Sequence, residues 1–418
     1  MLVRRLGAPS DFDPLLERVR DARVVMVGEA SHGSHDYYRI REQLTRRLIA
    51  EGGFSFVAVE GDWPDCDRVN RSVLGMPGSA ADPHAALRRF ERWPTWMWAN
   101  AEVARFARWL RAWNLDRPET VRVGFHGLDV YSLWESMQAI LDYVGEEDPD
   151  SFEAVQEAYA CFEPYGRRLD EYGVASRFVS ARCEEEVIRL LARTREHAAS
   201  DGPDRFSAWQ NAAVVAGAER YYRAMVGGGA QSWNVRDVHM ADTLDRLLDR
   251  YGPQARGIVW AHNTHVGDGR ATDMSDDGMV TIGQLARERY GPDDVVLIGF
   301  GSYRGTVTAA PRWGATVETM VVPPARPGSV EQRMHELLPE RAVLVFDGPD
   351  QPGWVTETVD HRAIGVVYDP AFESWGNYVP TRLAQRYDGF VWCDETTALR
   401  PLAAVPTPGE RETWPAGV

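Results

Sequence analysis

The fold is decided by the stretch Val24-Val25-Met26-Val27-Gly28-Glu29-Ala30-Ser31-His32-Gly33-Ser34. A short apolar run that stops at turn residues is typical of a buried parallel strand. Gly28 and Gly33 bracket the turn and allow tight backbone geometry, and a helical pattern follows from about residue 35 to 51. Glu29 and His32 are therefore expected just beyond the carboxyl end of a strand, where open α/β sheets bind ligands. By themselves, the same residues also fit an ordinary polar turn that caps a helix.

Polar side chains follow three further predicted strands. These strands span residues 54–60, 121–125 and 257–261, and the side chains at or after their ends are Glu60, His126, Asp129, His262, Asn263 and His265. If the strands are parallel and adjacent, all of these groups converge on one edge of the sheet. Histidines and carboxylates with a purely structural role are not expected to occur at the ends of all four predicted strands. The repetition therefore predicts a shared site.

Alternation of strands and helices predicts an α/β fold with a mostly parallel central sheet flanked by helices. Later strands are expected at residues 295–300, 343–346, 363–368 and 389–393. A long run of helical patterns predicts a large helical insertion, or a lid, over the cleft. The chain divides into a first part of the α/β core (1–130), a helical region covering the cleft (131–252), a second part of the core (253–402) and a loose C-terminal tail (403–418).

Composition restricts the partners and the location. The chain has 418 residues, of which 44% are apolar and 26% are charged, and its net charge of −16 argues against nucleic-acid or acidic-membrane partners. The sequence has no stretch of 18 or more apolar residues, so no transmembrane helix is expected. The first residues also lack the apolar core of a signal peptide. Four scattered cysteines suit reduced thiols, so a cytoplasmic location is expected. The oligomeric state is left open.

Every basic residue of the lysine-plus-arginine total of 46 is an arginine. The absence of lysine excludes a Schiff-base lysine, a P-loop lysine and a Ser-Lys nucleophile pair. The chain also has no G-x-S-x-G nucleophile elbow and no complete dinucleotide fingerprint. No cofactor is expected.

The predicted cluster fits general acid–base catalysis on a water molecule, because an imidazole accepts a proton near neutral pH. Glu29 or Glu60 would orient that imidazole. Arg41, if it faces the sheet, would bind an oxyanion or a substrate carboxylate; the alternative is a solvated helix arginine. The same groups could instead hold a metal, with His262 and His265 as ligands together with Glu60 or Asp129.

Several motifs, in order, resemble those of the erythromycin esterase family. They are Gly28-Glu29-Ala30-Ser31-His32-Gly33 with Arg41, Val59-Glu60, Arg236-Asp237 with Met240-Ala241, Ala261-His262-Asn263-Thr264-His265, and Gly299-Phe300 with Gly305-Thr306-Val307-Thr308-Ala309-Ala310. The resemblance covers about residues 23–402, and similar sequences are also labelled succinoglycan-biosynthesis proteins. It implies an α/β core with a helical portion over the cleft. It also implies hydrolysis of an ester, or of the lactone in macrolide-inactivating members that give antibiotic resistance, without a required metal.

The resemblance makes His32 the general base that activates water, with Glu29 and Glu60 positioning it. It makes Arg41 and His262 the groups that complete the catalytic site. Our own expectation adds a substrate-binding set for a small-molecule ester, made of His126, Asp129, Asn263 and His265. Two alternatives stay open: a metal-dependent hydrolase that uses the same cluster, and a non-catalytic protein that binds a small ligand.

Overall fold

The computed structural model describes residues 1–147, 149, 152–159, 202–225, 229–348 and 350–402. The predicted loose tail at 403–418 and residues 160–201 of the predicted helical region lie outside the described residues, as do Cys161 and Cys183. No described helix is long and apolar enough to cross a membrane.

Numbered in chain order, the described strands are β1 (Leu2–Arg5), β2 (Val24–Val27), β3 (Phe56–Asp62), β4 (Gly124–Asp129), β5 (Gly257–Trp260), β6 (Val295–Ala309), β7 (Glu318–Val322), β8 (Arg341–Val345), β9 (Thr358–Arg362), β10 (Tyr378–Arg382) and β11 (Gly389–Thr396). The described α-helices are α1 (Asp13–Arg18), α2 (His35–Gly52), α3 (Trp63–Leu74), α4 (Pro83–Leu87), α5 (Ala101–Leu115), α6 (Leu133–Glu147), α7 (Phe152–Tyr159), α8 (Pro203–Met225), α9 (Ala230–Tyr251), α10 (Asn263–Val266), α11 (Ile282–Tyr290), α12 (Val330–Leu337), α13 (Gly353–Thr356), α14 (Glu373–Gly376) and α15 (Leu383–Arg386).

The central sheet has the strand order β1-β8-β11-β6-β2-β5-β3-β4, with β7 added to the far end of β6, while β9 and β10 pair separately. Strands β11, β6, β2, β5, β3 and β4 run parallel to their neighbours, and β1, β8 and β7 are antiparallel. The predicted mostly parallel sheet is therefore confirmed. Val27 lies opposite Trp260, so the carboxyl ends of β2 and β5 are level, whereas β6, paired with Val27 at Ile298, continues past them.

Both faces of this sheet are covered, which explains the uninterrupted apolar run of β2. Val25 and Val27 point into a core with α2 and α5. Val24 and Met26 point to the opposite face, where α9 and α11 pack. Successive side chains of a strand alternate between faces, so a strand buried on both faces must be apolar throughout.

The described part of the predicted helical insertion divides its packing between two partners. Helix α8 packs with α6 and α7 in a cluster that includes Ile140, Val215 and Tyr221. Helix α9 packs instead on the sheet through Leu244 and Leu248. This helical layer is thus anchored directly to the sheet.

Three strand predictions need correction. The strand expected at 121–125 is β4, which starts at Gly124, so His126 lies within a strand rather than beyond its end. The segment expected at 363–368 is not a strand, because β9 ends at Arg362 and the following residues make isolated bridges. It is apolar because Ile364 and Tyr368 pack under the extension of β6. That extension carries β6 to Ala309, past the predicted end at 300, through pairing with β7.

Gly33 ties the turn after β2 to this extension of β6. Its carbonyl oxygen accepts hydrogen bonds from the backbone N–H groups of Thr308 (3.0 Å) and Leu399 (2.8 Å). A Cβ at position 33 would lie 1.8 Å from the carbonyl oxygen of Thr308. Only glycine permits this close backbone approach.

Gly33→Ala is therefore expected to destabilise the fold by about 1–3 kcal/mol or more, because the clash is with backbone that cannot rotate away. Thermal unfolding followed by circular dichroism measures the effect. Gly376→Ala is the matched control, since nothing lies within 4 Å of a Cβ built there. Equal unfolding midpoints for the two variants would contradict the assignment.

Candidate active site

The carboxyl ends of β2, β3, β4 and β5 meet at one edge of the sheet, as the sequence predicted. Glu29 and His32 come from the turn after β2, and Glu60 and Asp129 lie in β3 and β4. His262 and His265 belong to the turn and short helix α10 after β5. All six side chains are buried.

Glu29 lies between a histidine and an arginine. Its Oε1 is 2.9 Å from His32 Nδ1, and its Oε2 is 3.1 Å from Arg41 Nη2. The fully buried Arg41 guanidinium also packs on the rings of Tyr38 and Trp260, 4.4 and 4.7 Å from their centroids. A carboxylate accepts hydrogen bonds, so His32 donates through Nδ1, and in the neutral imidazole Nε2 is the nitrogen that can accept a proton.

A second buried carboxylate, Glu60, is held by Arg236. Arg236 Nη2 donates to Glu60 Oε1 (2.6 Å) and to Asp129 Oδ2 (2.8 Å), and its Nε donates to Asp129 Oδ1 (3.0 Å). Burial opposes ionisation of Glu60, but the Arg236 guanidinium and the His262 backbone N–H hold the pKa of this carboxyl below its ordinary value. Glu60 is therefore an anion at neutral pH.

His262 contacts both Glu60 and the His32 ring that is paired with Glu29. Its backbone N–H donates to Glu60 Oε2 (2.8 Å), and its ring centroid lies 4.9 Å from that of His32. Its Nδ1 pairs with the Thr264 hydroxyl at 2.8 Å, and the ring also lies within hydrogen-bonding reach of the Ala30 backbone. Burial, with the neighbouring His32, lowers the pKa of His262 far below its usual value, so this ring is neutral.

His265 is enclosed on every side. Its Nδ1 is 2.9 Å from Asp237 Oδ2, its Nε2 is 3.0 Å from Arg236 Nη1, and the Trp233 ring stacks on it at 4.4 Å. Because arginine only donates, His265 accepts at Nε2 and donates at Nδ1. Its role in this arrangement is to hold Arg236.

A small pocket of about 50 Å³ opens beside these groups. Its polar and aromatic lining includes His32, Glu60, Arg92, Asp129, Tyr131 and Arg236. In the described lining, His32 is the one histidine. The Tyr131 ring lies between two guanidinium groups, with its centroid 4.8 Å from Arg92 and 4.9 Å from Arg236.

A larger cleft of about 740 Å³ adjoins the pocket and shares Asp65 and Arg92 with it. Helices α3, α6 and α8 contribute to its walls. Burial raises the pKa of Asp65 to about 7, although Arg68 opposes the shift. The small pocket therefore has a neighbouring space large enough for a bulkier ligand.

Of the nine predicted residues, three line the described pocket, and the other six lie outside its lining: Glu29, Arg41, His126, His262, Asn263 and His265. His126 is packed against Trp63 (5.4 Å between ring centroids) with its Nε2 2.9 Å from the Tyr251 hydroxyl, because its position within β4 turns it to the α9 face. Asn263 uses its amide on the backbone of Phe300. Arg41 lies behind Glu29 rather than at the pocket, because three aromatic rings enclose it.

Arg236 is the site residue to which the sequence reasoning gave no role. The available signal was the Arg236-Asp237 pair, in which one residue binds the carboxylates of β3 and β4 and the next binds His265. An arginine within a long helix gives no other sign that it faces a cleft. The contact exists because α9 packs on the sheet beside β4.

The donor set does not suit a metal ion. Arg236 occupies oxygens of both Glu60 and Asp129, and both nitrogens of His265 are engaged. Within the described part of the chain, no group of three or more His, Cys, Asp or Glu side chains is arranged to hold a metal. These residues fit a buried hydrogen-bond network better than a metal-binding site.

Three solved structures share this fold over nearly the whole chain. A succinoglycan biosynthesis protein superposes with a TM-score of 0.78 at 20% identity and covers 95% of each chain. A Bacillus cereus protein gives a TM-score of 0.80 at 18% identity and covers 96% of this chain and 97% of its own. A mutant of the erythromycin esterase EreC, in its open conformation, gives 0.69 at 18% identity over 95% and 98% of the two chains.

Among curated proteins, erythromycin esterase type II of Escherichia coli is 24% identical over 355 residues, which are 77% of this chain and 80% of the relative. The putative hydrolase YbfO of Bacillus subtilis (strain 168) is 20% identical over 93% of this chain and 86% of its own. The family model described as erythromycin esterase matches residues 49–396, a range that includes Glu60, Arg236 and His262. The chain therefore belongs to the erythromycin esterase family.

Proposed function

We propose that this protein is a hydrolase that cleaves a carboxylic ester or lactone with water activated by His32. One observation carries the proposal: the pocket-lining histidine has its Nδ1 held by the buried carboxylate of Glu29, at 2.9 Å. This pairing fixes the tautomer in which Nε2 accepts a proton. Membership in the erythromycin esterase family supports the same class of reaction.

In the proposed reaction, His32 Nε2 takes a proton from water as the water oxygen attacks the ester carbonyl carbon. The carbonyl π electrons move to oxygen and form a tetrahedral oxyanion, while Glu29 stabilises the imidazolium. When the intermediate collapses, the bond from carbon to the alcohol oxygen breaks, and His32 returns the proton to the leaving alkoxide. The products are a carboxylic acid and an alcohol, and His32 is again neutral.

Arg236 is the group we propose for stabilising the oxyanion. It lines the pocket beside His32, whereas the fully buried Arg41 does not. His262 is neutral and also lies outside the lining, so it supplies no positive charge. We assign Arg41 to holding the charge of Glu29, and His262 to packing against the His32 ring.

A serine nucleophile is the weaker alternative. Ser31 is buried, and its hydroxyl oxygen lies 2.6 Å from that of Ser34. It is not part of the described pocket lining. Direct attack by water therefore needs no rearrangement of the turn, whereas attack by Ser31 does.

The proposed substrate is a small-molecule ester whose non-reacting part lies in the larger cleft. A pocket of about 50 Å³ accommodates only a few water molecules, whereas the adjoining cleft of about 740 Å³ is of ligand size. A macrolide lactone is one candidate, because the Escherichia coli relative is an erythromycin esterase.

We propose a cytoplasmic location for the protein. The buried free thiols of Cys66 and Cys393 support such a reducing setting.

His32→Asn should lower kcat for ester hydrolysis at least 1000-fold, about the effect of losing a general base, while the fold is retained. The asparagine amide keeps a donor near the Nδ1 position for Glu29 but supplies no base at Nε2. Mass spectrometry on a panel of aryl esters, acyl sugars and a macrolide lactone detects the gain of one water. His335→Asn, at a half-exposed histidine paired with Asp394, is the control and should keep full activity. Near-normal hydrolysis by His32→Asn would remove this histidine as the base.

Arg236→Met should cost about 3–5 kcal/mol of stability near pH 7, because it leaves Glu60 and Asp129 buried without their cation. In the wild type, the lowered pKa of Glu60 contributes stability that is present above its unfolded pKa and lost as pH falls through its folded pKa. Without Arg236 this pKa rises, so protonation compensates and the stability difference should narrow from pH 7 to pH 5. Thermal unfolding at both pH values measures it, with exposed Arg304→Met as control. A difference that widens on acidification would contradict the pairing.

Prolonged dialysis against a chelator should leave hydrolysis unchanged, because Arg236 and Asp237 already occupy the groups that would bind a metal. Activity is compared before dialysis, after dialysis and after addition of single divalent ions. Lost activity that one ion restores would favour the metal-dependent alternative. Tight ligand binding without product over hours would favour a binding protein.

A further inference from the structure

Asn263 lies between the two turns that carry the proposed catalytic groups. It directly follows His262, and its backbone N–H donates to the carbonyl oxygen of Glu29 at 2.8 Å. Its own carbonyl oxygen accepts from Arg386 (3.2 Å) and Tyr387 (3.3 Å). A shift of Asn263 would therefore move the support of both Glu29 and His262.

The backbone of Phe300 fixes which way the Asn263 amide points. Phe300 N–H donates to Oδ1 at 3.2 Å, and the Phe300 carbonyl oxygen accepts from Nδ2 at 2.7 Å. A backbone N–H requires the amide oxygen, and a carbonyl requires the amide nitrogen, so the reverse orientation would lose both bonds.

This orientation decides the protonation of His361. His361 Nε2 lies 3.2 Å from Asn263 Nδ2, which is a donor, so Nε2 is an acceptor without a proton. His361 Nδ1 lies 2.6 Å from Glu331 Oε1, an oxygen that also accepts the backbone N–H of Arg362 at 2.9 Å. His361 is therefore neutral, with its proton on Nδ1.

The surroundings favour the neutral form. Asn263, His361 and Glu331 are fully buried. Burial lowers the pKa of His361 although Glu331 opposes the shift, and the Arg386 and Arg362 guanidinium groups add to the lowering. Protonation would set an Nε2–H against the Asn263 N–H and break the contact.

We propose that His361 is a positioning residue which, through Asn263, holds His262 and the Glu29 turn in their working arrangement, and that Glu331 acts only by keeping the His361 proton on Nδ1. None of the three lies in the described lining of the pocket, so none contacts the substrate there. The chain of contacts runs from α12 through β9 to the turn after β5. This inference rests on the proposed function for its kinetic readout, but its spectroscopic readout is independent.

We call the contacts from Glu331 through His361 to Asn263 the relay. Two variants of His361 each keep one of its two contacts and remove the other. His361→Gln places an amide oxygen near the Nε2 position and keeps the contact with Asn263. His361→Asn places an amide nitrogen near the Nδ1 position and keeps only the contact with Glu331. Both replace the ring by a buried amide, so they are matched in polarity, and the extra methylene lost in His361→Asn is judged from its unfolding midpoint. Circular dichroism and the unfolding midpoint of each variant are recorded first.

The relay predicts that His361→Gln keeps kcat within threefold of the wild type. His361→Asn should lower kcat at least tenfold while KM stays within twofold, because positioning, not binding, is lost. Equal losses in both variants would overturn the proposal, as would full activity in His361→Asn.

Nitrogen NMR of histidine-labelled wild-type protein gives the second readout and needs neither a substrate nor a folded His361→Asn variant. The His361 signals, identified by their loss in His361→Gln, should show neutral imidazole protonated at Nδ1 from pH 6 to pH 8. An imidazolium or an Nε2–H tautomer would overturn the relay. If the wild type hydrolyses no ester in the panel, the proposed function fails, while this spectrum still tests the hydrogen-bond arrangement of Glu331, His361 and Asn263.

Discussion

Buried carboxylates at the sheet edge constrain the whole site. An ionised carboxylate in a protein interior is costly unless a cation or several hydrogen bonds compensate it. Arg41 compensates Glu29, and Arg236 compensates Glu60. Helix α2 must therefore run behind the turn after β2, and helix α9 must cross beside β3 and β4. The fold around the pocket is the arrangement that pairs these charges.

Three buried histidines share one hydrogen-bonding pattern, although their Nε2 atoms have different neighbours. His32, His265 and His361 each present Nδ1 to a carboxylate, from Glu29, Asp237 and Glu331 respectively. The carboxylate fixes the proton on Nδ1, so the chemistry of each ring depends on what its Nε2 meets. For His265 this neighbour is Arg236, and for His361 it is Asn263. The proposed base is the ring of this set that lines the pocket.

Rigidity of the site comes from backbone contacts between distant segments. Gly33 lies against the extension of β6, and Asn263 links the turn after β2 to Phe300 in the same strand. The approach of Asn263 also explains Gly28, where a Cβ would lie 2.3 Å from the Asn263 amide oxygen. The turns of the candidate active site are thus held by the sheet itself, which leaves the helical layer to shape the adjoining cleft.

The sequence by itself determined the parallel sheet and the convergence of Glu29, His32, Glu60 and His262, because strand periodicity and the position of polar residues after strands are local signals. It did not separate pocket residues from supporting ones. His126 faces α9, Asn263 faces β6, and Arg41 is enclosed by aromatic rings, whereas Arg236 enters the pocket from a helix far away in the chain. Those differences depend on which face of an element meets which neighbour. Tertiary packing decides that, because the direction of a side chain relative to a distant strand is not encoded in its local pattern.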